Sequence, residues 1–120
     1  MPTPSKALKE RLSKSSEIEI KVVGRKSGRT ISIPVWFVAD DNEIDLLPVQ
    51  GSATQWYKNV LENPSIRIKA GGAEGEFEAV PITETKLVSS LTEKFRKKYG
   101  AGDVKKYYSK LDVAVRVGIR

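Results

Sequence analysis

At 120 residues, with 39% hydrophobic and 30% charged side chains, the chain has room for one domain with a modest core and no apolar run long enough for a membrane-spanning helix. Cysteine and histidine are both absent, which removes disulfides, thiolate nucleophiles, Cys/His zinc sites, axial histidine on haem and every histidine-based proton transfer. The net charge of +6 favours anionic partners without choosing among nucleic acid, membrane surface and phosphorylated small molecules.

What remains is chemistry carried by a bound organic cofactor, by carboxylate, lysine or tyrosine, or no chemistry at all. Residues 1 to 14 lack an apolar secretory core, so the expected location is the cytoplasm.

Leu8 and Leu12, four apart between Lys6 and Lys14, predict a short amphipathic helix. Period-two alternation follows: Ile18, Ile20 and Val22 mark a strand over Glu17 to Val23, and Ile31, Ile33, Val35 and Phe37 mark another over Thr30 to Ala39. Asp40-Asp41-Asn42 is a turn sequence, and Glu43 to Val49 reads as a third strand. Ser52 with Gln55 three residues on has the form of a capping box, opening a helix over Ala53 to Glu62 that stops at Asn63-Pro64.

Ser65 to Ala70 and Glu76 to Ile82 predict a hairpin around the turn Gly71 to Gly75. Thr83 caps a helix with Leu87, Val88, Leu91 and Phe95 on its apolar face; Gly100 to Gly102 breaks it before a helical piece at Val104 to Ser109. Alternation of Leu111, Val113, Val115, Val117 and Ile119 gives a last strand. Six mostly antiparallel strands with flanking helices, an α+β chain that is mainly β, close most readily into a small barrel spanning residues 1 to 120 as one domain.

Three segments carry candidate chemistry. The turn Gly24 to Gly28 sets the cations Arg25, Lys26 and Arg29 beside glycines that let backbone N–H groups approach a phosphate; the plainer reading is a solvated hairpin tip. Gly51-Ser52 ahead of a helix is a second anion-friendly spot, or merely a cap. Trp36, Trp56 and Tyr57 are rings that could flank a planar group, though core packing explains most such aromatics. Pro34 and Pro48, inside predicted strands, point to edges or bulges.

Together Gly24-Arg25-Lys26-Ser27-Gly28, Pro34-Val35-Trp36-Phe37, Leu47-Pro48-Val49-x-Gly51-Ser52-x-Thr54-x-Trp56-Tyr57-x-Asn59 and Asn63-Pro64 resemble the deazaflavin-dependent nitroreductases and quinone reductases of the split β-barrel, flavin-binding superfamily. The likeness runs from about Ile18 to Ile82. It implies an FMN-binding-like split barrel that holds coenzyme F420, with FMN as the close alternative. The phosphate and tail would lie near Arg25, Lys26, Ser27, Gly28 and Arg29. The ring would lie against Pro34, Val35, Trp36, Val49, Gln50, Gly51, Ser52, Trp56 and Tyr57.

The implied activity is hydride transfer from the reduced deazaflavin to a quinone, nitro compound or activated alkene, with no metal. The implied partner is a small-molecule electron acceptor, and a homodimer is left open. Where some relatives have tyrosine on the second strand this chain has Trp36, which is no phenolic proton donor. Other readings of the same residues are a non-catalytic cofactor carrier, or an OB-like barrel whose rings stack single-stranded bases while Arg25, Lys26, Arg29 and Lys94 to Lys98 track phosphates. The 94 to 98 run is more simply a solvated helix face.

Overall fold

A computed structural model describes residues 10–12, 14–39 and 43–118. Its elements are β1 (Ile18–Val23), β2 (Thr30–Val35), β3 (Phe37–Ala39), β4 (Glu43–Leu46), a 3-10 turn (Gly51–Ala53), α1 (Gln55–Glu62), β5 (Ser65–Ala70), β6 (Ala73–Ile82), α2 (Thr85–Tyr99), α3 (Ala101–Tyr107) and β7 (Ala114–Gly118). The seven strands form one sheet in the order β2-β1-β5-β6-β7-β4-β3, and each neighbouring pair is antiparallel.

This order dictates the shape. β2 and β3 are the two edges of the sheet, yet only Trp36 separates them in the chain. Laid flat, seven strands put their outer members about 29 Å apart, whereas Val35 to Phe37 spans roughly 7 Å of extended chain. The sheet therefore curls until its edges meet, leaving a seam at Trp36. β6 makes the curl possible by pairing with β5 through residues 73–78 and with β7 through 79–82.

The strand expected over Thr30 to Ala39 is thus two strands. Alternation continues across the break, but the partner changes from β1 to β4 and burial changes with it: Ile31 is exposed, while Phe37 and Val38 are both buried. Pro34 does sit on an edge strand, where a missing N–H is tolerated. Pro48 does not lie in a strand, because β4 ends at Leu46; its carbonyl instead accepts the Gly51 N–H at 3.0 Å.

Alternate residues divide the core. Ile18, Ile20, Val22, Ile44, Leu46, Ile66, Ile68, Val115 and Val117 form one apolar cluster with Trp56, Tyr57 and Val60 of α1. Val38, Ile82 and Ala114, of opposite parity, join Val88, Leu91 and Phe95 of α2 and Val104 of α3 in a second. β7 is buried on both faces because it is central and covered by helices.

Boundaries shift for local reasons. The β5–β6 turn is the pair Gly71-Gly72 with φ of +54° and +91°, the two-residue hairpin that twisted strands prefer, rather than five residues. Glu84, not Thr83, is the N-cap residue of α2, and Gly100 at φ +96° ends that helix only for α3 to begin at once. Leu87 is 37% exposed and Thr92 takes a buried place, its hydroxyl donating to the Val88 carbonyl at 2.8 Å. Residues 10–12 of the first expected helix are helical; its start, the turn at Asp40 to Asn42 and Ile119 lie outside the described residues.

Candidate functional site

A cleft of about 430 Å³ opens at the seam. Ile33, Pro34, Val35 and Trp36 form one side, and Leu47 and Val49 follow β4 on another. Trp56 from α1, Tyr107 and Tyr108 from the end of α3, and Glu17 ahead of β1 complete the lining, so Glu17 is its only charged side chain among the described residues.

Trp36 is fixed by neighbours rather than free to swing. It stacks on Tyr99 with centroids 4.3 Å apart and planes 6° from parallel, and meets Tyr107 edge-on at 5.5 Å. Each such pair stabilises by roughly 0.5–1.5 kcal/mol beyond area burial. The Tyr99 hydroxyl clasps the seam in turn: it accepts the Phe37 N–H at 3.0 Å and lies 2.7 and 2.9 Å from the carbonyls of Ser16 and Phe37. Burial, chiefly, raises the pKa of Tyr99, and it pushes that of Tyr108 up still further, with Tyr99 adding to it. Both phenols therefore stay protonated at neutral pH.

Two loops make the wall opposite β2. Ser109 N–H donates to the Val49 carbonyl at 2.8 Å, Gln50 bridges to Lys110, and Asp112 accepts the Ser52 N–H at 2.9 Å and the Ser52 hydroxyl at 2.6 Å. The capping box is absent: Ser52 faces Asp112, sixty residues on, while Thr54 ends the 3-10 turn and accepts the Gln50 N–H at 2.8 Å. The second anion-friendly spot thus already holds an anion, the chain's own carboxylate.

The Ser52 hydroxyl bond is the main cause holding the Asp112 carboxyl below its ordinary pKa, with the Ser52 N–H and Lys110 adding and partial desolvation opposing. A carboxylate with a depressed folded pKa stabilises the fold above its unfolded value, about 3.9, and loses that contribution as pH falls through the folded value. Asp112→Asn should therefore flatten the acid limb of a stability curve below about pH 4, measured by urea melts at stepped pH.

The basic turn sits elsewhere on the same hairpin. Arg25 is tied down: its Nη1 donates to Asn59 Oδ1 at 2.7 Å, its Nη2 to Gln55 Oε1 at 2.8 Å, and its amide to Asn59 Oδ1 at 3.2 Å. Asn59 is buried, so this guanidinium satisfies a polar group that would otherwise lack a partner. Lys26, Gly28 and Arg29 are exposed at the tip, and Ser27 Oγ accepts the Arg29 N–H at 3.2 Å. Arg25→Ala should lower stability by about 1–2 kcal/mol, whereas Lys26→Ala should change it by less than about 0.5 kcal/mol, both read from urea unfolding.

Of the residues singled out from sequence, Pro34, Val35, Trp36, Val49 and Trp56 line the cleft. Gln50, Gly51 and Ser52 stand behind Val49 in the stitched wall, and Tyr57 points into the first core cluster at 4% exposure. Arg25, Lys26, Ser27, Gly28 and Arg29 are not in the cleft lining; Arg25 joins them to α1, whose Trp56 is. Sequence reasoning missed Glu17, Tyr99, Tyr107 and Tyr108. Three tyrosines within ten residues around a glycine break were the available signal.

Residues 9–116 match the family model described as "Uncharacterized protein conserved in bacteria (DUF2255)". No curated protein matches the sequence. Among solved structures, the chain is similar to an F420-H2-dependent reductase, FDR-A, at 17% identity over 85% of this chain and 93% of that one, with a TM-score of 0.66. It is also similar to a candidate pyridoxamine 5′-phosphate oxidase from Listeria innocua (12%, 96% and 92%, 0.71) and to HutZ, the haem storage protein from Vibrio cholerae (13%, 93% and 86%, 0.69). At these identities the likeness is one of fold: the curled antiparallel sheet with its helices is a split β-barrel.

Proposed function

The chain belongs to the DUF2255 family, and we propose that this barrel is an F420-dependent oxidoreductase that passes a hydride from the reduced deazaflavin to a quinone, nitro compound or activated alkene. The observation that carries the reading is the aromatic cleft at the seam, where Trp36, Trp56 and Tyr107 surround a volume suited to a flat ring system. Along β2, Ile33 of the cleft lining lies roughly 10 Å from Thr30, next to the hairpin-tip cations Lys26 and Arg29. This spacing suits an elongated ligand, ring at one end and phosphate at the other, and not a compact one.

When bound, the deazaflavin supplies the hydride. The chain's part is to hold the ring between Pro34, Val35, Trp36 and Val49, to exclude water with its apolar lining, and to meet the tail's charge with Lys26 and Arg29. Tyr107 and Tyr108 bring to the lining the phenols that Trp36 does not, and Tyr108 keeps its proton because it is buried. The absence of histidine fits a site where the cofactor carries the electrons. FMN is the alternative occupant of the same cleft, and binding without turnover the alternative use of it.

A base-stacking nucleic-acid surface is the weaker reading. Phe37 and Tyr57 are buried outside the cleft, and Trp36 and Trp56 line one enclosed cleft rather than an open row on which successive bases could stack. Among the described residues no helix is long and apolar enough to cross a membrane. We propose that the chain acts in the cytoplasm, alone or as a homodimer.

Titration of the protein with F420 and with FMN, followed by fluorescence quenching, tests the assignment. F420 should bind with a dissociation constant in the micromolar range or below. Trp36→Ala should weaken it at least tenfold, and Lys26→Ala with Arg29→Ala should weaken it in a salt-dependent way. If neither cofactor binds, or if Trp36→Ala changes nothing, the cleft is not the cofactor site. Turnover of a quinone or nitro acceptor by reduced F420 separates an enzyme from a carrier.

A further inference from the structure

Among the described residues no lysine or arginine lines the seam cleft, and the one charge in its lining is negative. Glu17 is held at the cleft wall from both sides: the Ser16 carbonyl lies 2.7 Å from the Tyr99 hydroxyl, and Ile18 is buried as the first residue of β1. Its side chain is exposed and forms no ion pair among the described residues. Taking the cleft as the binding site described above, we propose that Glu17 sets its charge selectivity: the flat acceptor it admits is an uncharged or positively charged aromatic, and carboxylated ones are turned away.

Composition alone predicts the reverse. A chain of net charge +6 attracts anions over most of its surface, so a single carboxylate decides only where short distance and low polarity let it outweigh that field. The cleft supplies both, since its lining is otherwise apolar or aromatic. The Glu17 charge already reaches Tyr99 behind Trp36, where burial raises the phenol's pKa and the carboxylate adds to it. In the shallow groove on the other side of Glu17, Lys69 is matched by Glu19, its register partner on β1; Lys106, 5.3 Å from the Tyr107 ring, lies outside the cleft lining. Because Val35 pairs with Ile18 and Thr30 with Val23, Glu17 stands at the far end of the β1–β2 hairpin from Lys26 and Arg29, roughly 17 Å of strand away. The site is thereby polar along its length. An anionic tail is drawn to the hairpin tip, while an anion is repelled at the seam.

The test is an amide NMR titration of the full chain without added cofactor, in about 0.15 M salt, with three nitroaromatics that share one ring and differ in charge: 4-nitrobenzyltrimethylammonium, 4-nitrobenzyl alcohol and 4-nitrobenzoate. Shifts should centre on residues 33–36, 47–49 and 107–108, with the cation bound at least tenfold more tightly than the anion and the alcohol between them. A carboxylate that attracts one and repels the other acts on this ratio twice. Glu17→Gln should abolish the preference for the cation and Glu17→Lys should invert it, while both leave the melt and the affinity for the alcohol unchanged. An anion bound as tightly as the cation by the native protein, a ratio that Glu17→Gln leaves intact, or no saturable binding at the seam would each overturn the proposal. Failure of the cofactor reading would show separately, as intact charge selectivity in a cleft that binds neither F420 nor FMN.

Discussion

Gly51→Ala should cost roughly 2–4 kcal/mol of stability, read as a lower urea midpoint with an unchanged slope. Two independent causes act at this position. Gly51 has φ +54°, which an alanine tolerates poorly, and a Cβ built there would stand 2.0 Å from Asp112 Oδ1 and 3.0 Å from the Lys110 carbonyl oxygen. The carboxylate must then leave, and with it go both Ser52 bonds. In the double variant Gly51→Ala/Asp112→Ala the losses should be less than additive, since the first change already removes what the second would. Additive losses would mean that the clash is relieved by another route. Because Val49 lies in one of these loops and Tyr108 leads into the other, and both line the cleft, ligand affinity should fall along with stability.

The largest loss is expected at Phe37→Ala, about 3–5 kcal/mol and a melting temperature lower by roughly 10–20 °C. Phe37 is fully buried at the start of β3, where the barrel edges meet. Its backbone is held by Tyr99 and Lys98, and its ring carries the Lys98 ammonium on one face, an interaction of about 0.5–1 kcal/mol. Phe37→Leu retains most of the buried area and should lose about half as much or less. Calorimetry on the pair separates lost volume from lost ring: equal losses would show that the cation contact, not packing, dominates at the seam.

What could be read from the sequence follows how local each determinant is. Ile18, Ile20 and Val22 alternate because β1 has one buried face, and a small antiparallel barrel follows from several such strands with turn residues between them, whereas its split form is implied by the family resemblance. The break at Trp36 has no local signature. Val35, Trp36 and Phe37 are all good strand residues, and only the sheet order shows that the chain changes partner there. Ser52 and Gln55 have capping-box spacing, yet Asp112 wins the serine from sixty positions away. Arg25 looks like a free cation beside glycines until α1 is placed against it with Gln55 and the buried Asn59. Tyr107 and Tyr108 fall inside the helical piece expected at Val104 to Ser109 with nothing to mark them as cleft wall, a place they take because Gly100 lets a second helix follow the first at once.

β7 lies between β6 and β4, so the sheet is continuous only once residues 114–118 are in place. β7 is the last strand to be synthesised, so before it is available β1, β2, β5 and β6 can form only a partial sheet and β3 with β4 only a hairpin, each with a raw edge where the missing strand belongs. Closure is then a late event, and the nascent chain exposes two strand-hungry edges for as long as translation takes to reach residue 118, an interval in which a chaperone or a second growing chain can pair with them first.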